Sequence, residues 1–92
     1  MPKIIIPTPL RKFTDNLASF EASATTVGAA IQELTSTYPE LKKHVLEEDG
    51  ALRKFLKVYL GDEDIEGLQN EQTPVAPEAT ISIIPAIAGG NH

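Results

Sequence analysis

The spacing of apolar residues changes several times along this chain, and each change marks an element. Ile4, Ile5 and Ile6 lie between Pro2 and Pro7-Thr8-Pro9. Proline gives no ladder donor, so this run predicts a short first strand over 3–8. Residues 11–16 are polar and turn-like. Ala18-Ser19-Phe20-Glu21-Ala22-Ser23 then alternates, with Phe20 and Ala22 on one face, which predicts a second strand paired with the first as a hairpin. From Thr25-Thr26 the period lengthens. Val27, Ile31, Leu34 and Tyr38 recur at helical spacing, with Gln32, Glu33 and Ser36 on the other side. One of the two threonines should cap this helix, and Pro39 should end it, because proline disfavours helical geometry in the residue before it. Residues 40–47 predict a second short helix through Leu41, Val45 and Leu46, broken by Glu48-Asp49-Gly50.

Phe55-Leu56-Lys57-Val58-Tyr59-Leu60 alternates most clearly, with Leu56, Val58 and Leu60 on one face and Phe55, Lys57 and Tyr59 on the other. Gly61-Asp62-Glu63-Asp64 reads as a turn, Ile65 as the start of a brief edge strand, and residues 66–77 as a loop punctuated by Gly67, Asn70, Pro74 and Pro77. Thr80-Ile81-Ser82-Ile83-Ile84 completes the pattern as a buried strand. A hairpin, a crossover helix and a late central strand make a mixed sheet covered by helix on one face, an α+β arrangement.

Composition narrows the chemistry. Ninety-two residues suit one domain with one small core. Thirteen acidic against eight basic residues give a net charge of −5, which opposes phosphate backbones and anionic membranes and sets both aside as partners. There is no cysteine, hence no disulfide, thiol nucleophile or thiolate metal site. No apolar run approaches the length of a membrane span, and the three aliphatic residues near Met1 are too few for a signal peptide. A soluble, cytoplasmic protein is expected.

The candidate chemistry lies in Ile84-Pro85-Ala86-Ile87-Ala88-Gly89-Gly90-Asn91-His92. Two glycines without Cβ atoms can enter a channel too narrow for other residues. His44 and His92 are the only histidines and lack metal-ligand spacing, so no metal site is expected. Glu47-Glu48-Asp49 and Asp62-Glu63-Asp64 are consecutive runs beside turns, and read as solvated charge. If Leu56, Val58 and Leu60 face the helix, Phe55 and Tyr59 face away from it. There they form either an exposed partner surface or a patch covered by the 66–77 loop.

Three stretches carry a family likeness: Thr26-Val27-Gly28-Ala29-Ala30-Ile31, the segment from Phe55 through Leu60 to Gly61-Asp62-Glu63-Asp64-Ile65, and residues 75–90 with their diglycine. Over nearly its whole length the chain resembles the β-grasp sulfur-carrier proteins, which include the thiamine sulfur carrier (ThiS) and the small subunit of molybdopterin synthase (MoaD). It is most similar to the branch that carries sulfur for cysteine or homocysteine synthesis. The resemblance implies a ubiquitin-like β-grasp fold: a mixed sheet of four to five strands on one main helix plus a short second one. Residues 1–86 would form the domain and 87–92 the tail.

It also implies a carrier and not an enzyme. A ubiquitin-activating-type enzyme would adenylate the Gly90 carboxylate with ATP, and a sulfur donor would convert it to a thiocarboxylate. Ala88 and Gly89 would form the thin stem, and a sulfur-accepting synthase would take the cargo. The carrier itself would bind no cofactor. In this family the outer sheet face docks on the activating enzyme, which assigns Phe55, Tyr59, Ile84, Pro85 and Ile87 as docking residues. Asn91 and His92 depart from the simplest pattern, in which the second glycine is terminal. Some relatives carry a similar extension, removed by a zinc metalloprotease of the JAMM type, so cleavage between Gly90 and Asn91 is expected before activation. A modifier conjugated through Gly90, the small subunit of molybdopterin synthase and a thiamine sulfur carrier are the alternative functions.

Overall fold

A computed structural model describes residues 1–54 and 56–85. Five strands, β1 (Lys3–Ile5), β2 (Ser19–Glu21), β3 (Leu56–Leu60), β4 (Glu63–Asp64) and β5 (Thr80–Pro85), form one sheet in the order β2-β1-β5-β3-β4. β5, last in the chain, is central. It runs parallel to β1, with Ile4 opposite Ile81, and antiparallel to β3, with Val58 opposite Ile83. β1 and β2 pair antiparallel through Ile4 and Phe20, as the hairpin reading expects.

Two helices, α1 (Val27–Thr37) and α2 (Pro39–Val45), cover one face. Thr26 is extended, and its hydroxyl accepts a hydrogen bond from the Ala29 amide at 3.2 Å, so the second of the two threonines is the cap. Val27, Ala30, Ile31 and Leu34 are buried on the stripe that the helical spacing placed inward. Thr35 is buried too, its hydroxyl donating to the Ile31 carbonyl at 3.0 Å. Tyr38 separates the helices, and Pro39 opens α2, where its missing N–H costs nothing. The sheet contributes Ile4, Ile6, Leu56, Val58, Ile81 and Ile83 to the same core, and α2 contributes Leu41 and Val45.

Several boundaries differ from the expected ones. The first strand ends at Ile5, not at residue 8, because a 3₁₀ helix, Thr8–Phe13, follows Pro7. The polar segment expected as a turn over 11–16 is therefore half helical. Buried Leu10 and Thr14 anchor it, with the Thr14 hydroxyl donating to the Arg11 and Leu17 carbonyls. Only Asp15 and Asn16 form a left-handed turn, at φ 56° and 66°.

α2 stops at Val45, since Leu46 is extended and bridges to Leu52. The edge strand is Glu63–Asp64 and ends where Ile65 was expected to begin it. Ile65 is instead buried in the core at the start of a 3₁₀ turn, whose Glu66 amide donates to the Asp64 side chain at 2.9 Å. The 66–77 loop carries a second such turn, Asn70–Gln72.

Candidate functional site

The site begins where β5 leaves the sheet. Alternation along β5 sends Ile81 and Ile83 into the core, while Ser82 and Ile84 point to the uncovered face. Register then assembles that face strand by strand. Ser82 lies beside Ile5 of β1 and Tyr59 of β3, Ile5 beside Ser19, and Tyr59 beside Asp64. This makes one transverse row, Ser19, Ile5, Ser82, Tyr59 and Asp64, across all five strands. Nearer the strand end, Ile84 lies opposite Lys57. Ile84 is 46% exposed, and Ile5, Ser82 and Tyr59 are half-buried.

Charge borders the apolar centre on one side. Lys57 Nζ lies 3.9 Å from Asp64 and 3.5 Å from Glu66, so the ammonium is drawn to the β4 edge. These groups are substantially exposed, which makes the pairs worth at most about 1 kcal/mol each. Their consequence is local: Lys57 turns toward the edge of the sheet, leaving Tyr59 and Ile84 as the large side chains between it and β1.

Of the two readings of this face, the structure does not favour a loop folded over it. Residues 66–77 run along the helical side. The Val27 amide donates to Thr73 O and the Val75 amide to Thr25 O, both at 2.9 Å. A Cβ on Gly28 would meet Glu71 Cβ at 2.8 Å and its carbonyl oxygen at 2.9 Å, so that glycine allows the loop to approach the first turn of α1. Glu66, at the loop's start, reaches Lys57 on the outer face.

Of the expected site residues, the structure places Tyr59 and Ile84 on this common face. Pro85 pairs with Leu56 at the strand end and is half-buried. Phe55, Ile87, Ala88, Gly89, Gly90 and Asn91 lie outside the described residues. Ile5 and Ser82 belong to the same face and were missed. Parity within β1 and β5 was the available signal, since each is one residue out of step with a core isoleucine.

His44 stacks on Phe13 with ring centroids 4.1 Å apart. Among the described residues, no three His, Cys, Asp or Glu side chains are placed to hold a metal ion. No helix among them is long and apolar enough to cross a membrane.

A mixed sheet with the last strand at its centre, one helical layer and an open outer face defines a β-grasp, ubiquitin-like domain. The ThiS family model matches residues 4–90, and the chain belongs to the ThiS family. The sulfur carrier protein CysO of Mycobacterium bovis is 34% identical over 89 residues, covering 95% of this chain and 96% of the relative. Among solved structures, the Amycolatopsis orientalis BexX/CysO complex contains a chain that matches with TM-score 0.87 and 33% identity, over 98% of this chain and 100% of its own. Mycobacterium tuberculosis CysO matches with TM-score 0.84 and 30% identity, over 95% and 100%. Small archaeal modifier protein 1 from Methanosarcina acetivorans shares the fold at TM-score 0.87 with 22% identity, over 97% and 95%.

Proposed function

We propose that this chain is a sulfur carrier protein that delivers sulfur as a thiocarboxylate on Gly90, for synthesis of cysteine, homocysteine or methionine. The observation that carries the reading is near-full-length similarity to sulfur carrier protein CysO, joined to a central strand that ends at Pro85, shortly before the diglycine in sequence. In activation the Gly90 carboxylate attacks the α-phosphorus of ATP and expels pyrophosphate. A hydrosulfide equivalent then adds to the acyl carbon and AMP leaves, so the C–O bond to phosphate is replaced by a C–S bond. The carrier supplies the acyl group, while the adenylating partner supplies the catalytic groups.

Gly90 is followed by Asn91, so its carbonyl lies within a peptide bond and a free carboxylate requires cleavage there. A JAMM-type zinc metalloprotease is the proposed agent, acting before adenylation. The outer face around Tyr59 and Ile84 is the proposed docking surface for the adenylating enzyme. Support comes from its exposure, its apolar centre and its position on the strand that carries the tail.

Intact-mass analysis of the chain, incubated with its protease, its adenylating enzyme, ATP and a sulfide source, tests the whole scheme. The expected product ends at Gly90 and is heavier than the free acid by the mass difference between sulfur and oxygen. Adenylation with Asn91 still attached would refute the processing step, and a free acid that never gains sulfur would refute the carrier role.

A further inference from the structure

The net charge of −5 is unevenly distributed between the two ends of the sheet. Because β1 and β5 run parallel and β3 antiparallel, the end from which the tail departs is also the end of Ile5 and Leu56. Arg53 and Lys54 lie three and two residues before Leu56. The Arg53 amide donates to the Val45 carbonyl at 3.0 Å and its Nε to the Lys43 carbonyl at 2.6 Å. These bonds fasten the last turn of α2, with Lys42, Lys43 and His44, to this end. The 3₁₀ helix after β1 adds Arg11 and Lys12, and its Phe13 stacks on His44 while Lys12 Nζ lies 5.3 Å from the Phe13 ring centre.

Arg11, Lys12, Lys42, Lys43 and Lys54 have no carboxylate within ion-pair distance among the described residues. Acidic groups do occur nearby, but Glu47 pairs with Arg53 at 3.6 Å and Asp49 caps the Ala51 amide of its own turn. Glu40, Glu48 and Asp15 remain exposed. At the opposite end Glu21, Asp62, Glu63 and Glu78 are all exposed, with Lys3 the one cation among the strand residues there. Cations in the last turn of a helix complement its dipole, which accounts for Lys42 and Lys43. The same holds for Arg11 and Lys12 at the end of the short 3₁₀ helix, but not for Lys54, which lies in no helix.

The tail determines what meets this surface. The five residues from Ala86 to Gly90 extend at most about 17 Å beyond Pro85. An enzyme that takes Gly90 into its reaction centre must therefore bring the rim of its channel against the basic end. We infer that this end docks on an acidic rim around the tail channel of the adenylating enzyme. The inference rests on the carrier reading for the partner's identity, whereas the surface can be probed without it. Net negative charge disfavours polyanions that would cover the whole molecule, and favours a partner whose acid is confined to one rim.

Two measurements test it. In the first, an octaglutamate peptide is titrated into the isotopically labelled full chain at low salt and followed by NMR. Amide shifts at residues 11–12, 42–44 and 54 are expected, and they should vanish at about 0.5 M salt, where the Debye length is about 4 Å. No shifts, or shifts spread over the whole surface, would overturn the proposal. In the second, pyrophosphate exchange by the adenylating enzyme is measured with the chain cleaved after Gly90. The Lys12→Glu/Lys43→Glu pair should raise KM about tenfold at low salt with kcat unchanged, while Asp62→Lys/Glu78→Lys should not.

If exchange proceeds and the two double variants behave alike, the docking proposal is wrong and the carrier reading stands. If no exchange occurs with any form while the peptide shifts persist, the carrier reading and the adenylating enzyme as partner both fall.

Discussion

Ile83 and Ile84 are neighbours in β5 with the same side chain, yet one is 3% exposed and the other 46%. The pleat alone separates them, but what each meets differs. Ile83 faces α1, α2 and the residues they bury, whereas Ile84 faces a surface that no described segment covers. The inner side of this sheet explains why the chain folds. The outer side adds little to stability and is available for recognition, so substitutions on the two sides should differ in kind as well as in size.

The sharpest test of that contrast is Ile83→Ala, which removes buried methyl and methylene groups and leaves a cavity between sheet and helices. It should cost about 2–5 kcal/mol in denaturant unfolding, enough to remove a large fraction of the stability of so small a domain. A cost comparable to that of an exposed site would mean that the core is not where the fold places it.

Gly28→Ala comes next, on the same covered side. The added Cβ meets Glu71 Cβ and backbone oxygen within 3 Å, so the 66–77 loop must shift away from α1. Alanine favours the helix intrinsically, but overpacking against backbone should outweigh that gain, for a net loss of about 1–3 kcal/mol. Faster amide exchange at Val27 and Val75, whose hydrogen bonds hold the loop, would identify the cause. Stabilisation would show that the loop yields freely.

The smallest effect on stability belongs to Ile84→Ala, expected to lie within about 0.5 kcal/mol of the parent chain. Its effect should appear in adenylation, as a several-fold rise in KM for the carrier. An unchanged KM would remove Ile84 from the docking surface, and a large loss of stability would erase the contrast between the two sides.

Much of this was readable from spacing. Val27, Ile31 and Leu34 with a threonine before them specify α1 and its cap, and the alternation in 56–60 and 80–84 specifies β3 and β5. Short elements with a single buried anchor were not readable. The 3₁₀ helix Thr8–Phe13 buries only Leu10, and one anchor defines no period. Ile65 misled because an apolar residue after a turn suggests a strand, although here it fills the core from a 3₁₀ turn. Tyr59 was legible as a site candidate from parity within its own strand, whereas Ile84 entered only through the family resemblance. Ile5 was harder, because three consecutive isoleucines obscure which two face inward. The basic end was invisible for another reason: positions 11, 12, 42, 43 and 54 are far apart in sequence, and the topology alone brings them together.

The central position of β5 has a consequence for how the protein is made. β1 and β3 cannot join one sheet until the strand between them arrives, and that strand follows both in the order of synthesis. The pairing of Lys3 with Thr80 closes nearly the whole chain into one loop, a contact that forms slowly because its entropy must be lost before any ladder bond compensates. A nascent or truncated chain lacking β5 therefore has two unjoined strand edges and cannot present a finished outer face, the proposed docking surface. The segment that leads to Gly90, the proposed site of sulfur transfer, follows the strand that completes the fold, so on the proposed reading readiness for chemistry also reports successful folding.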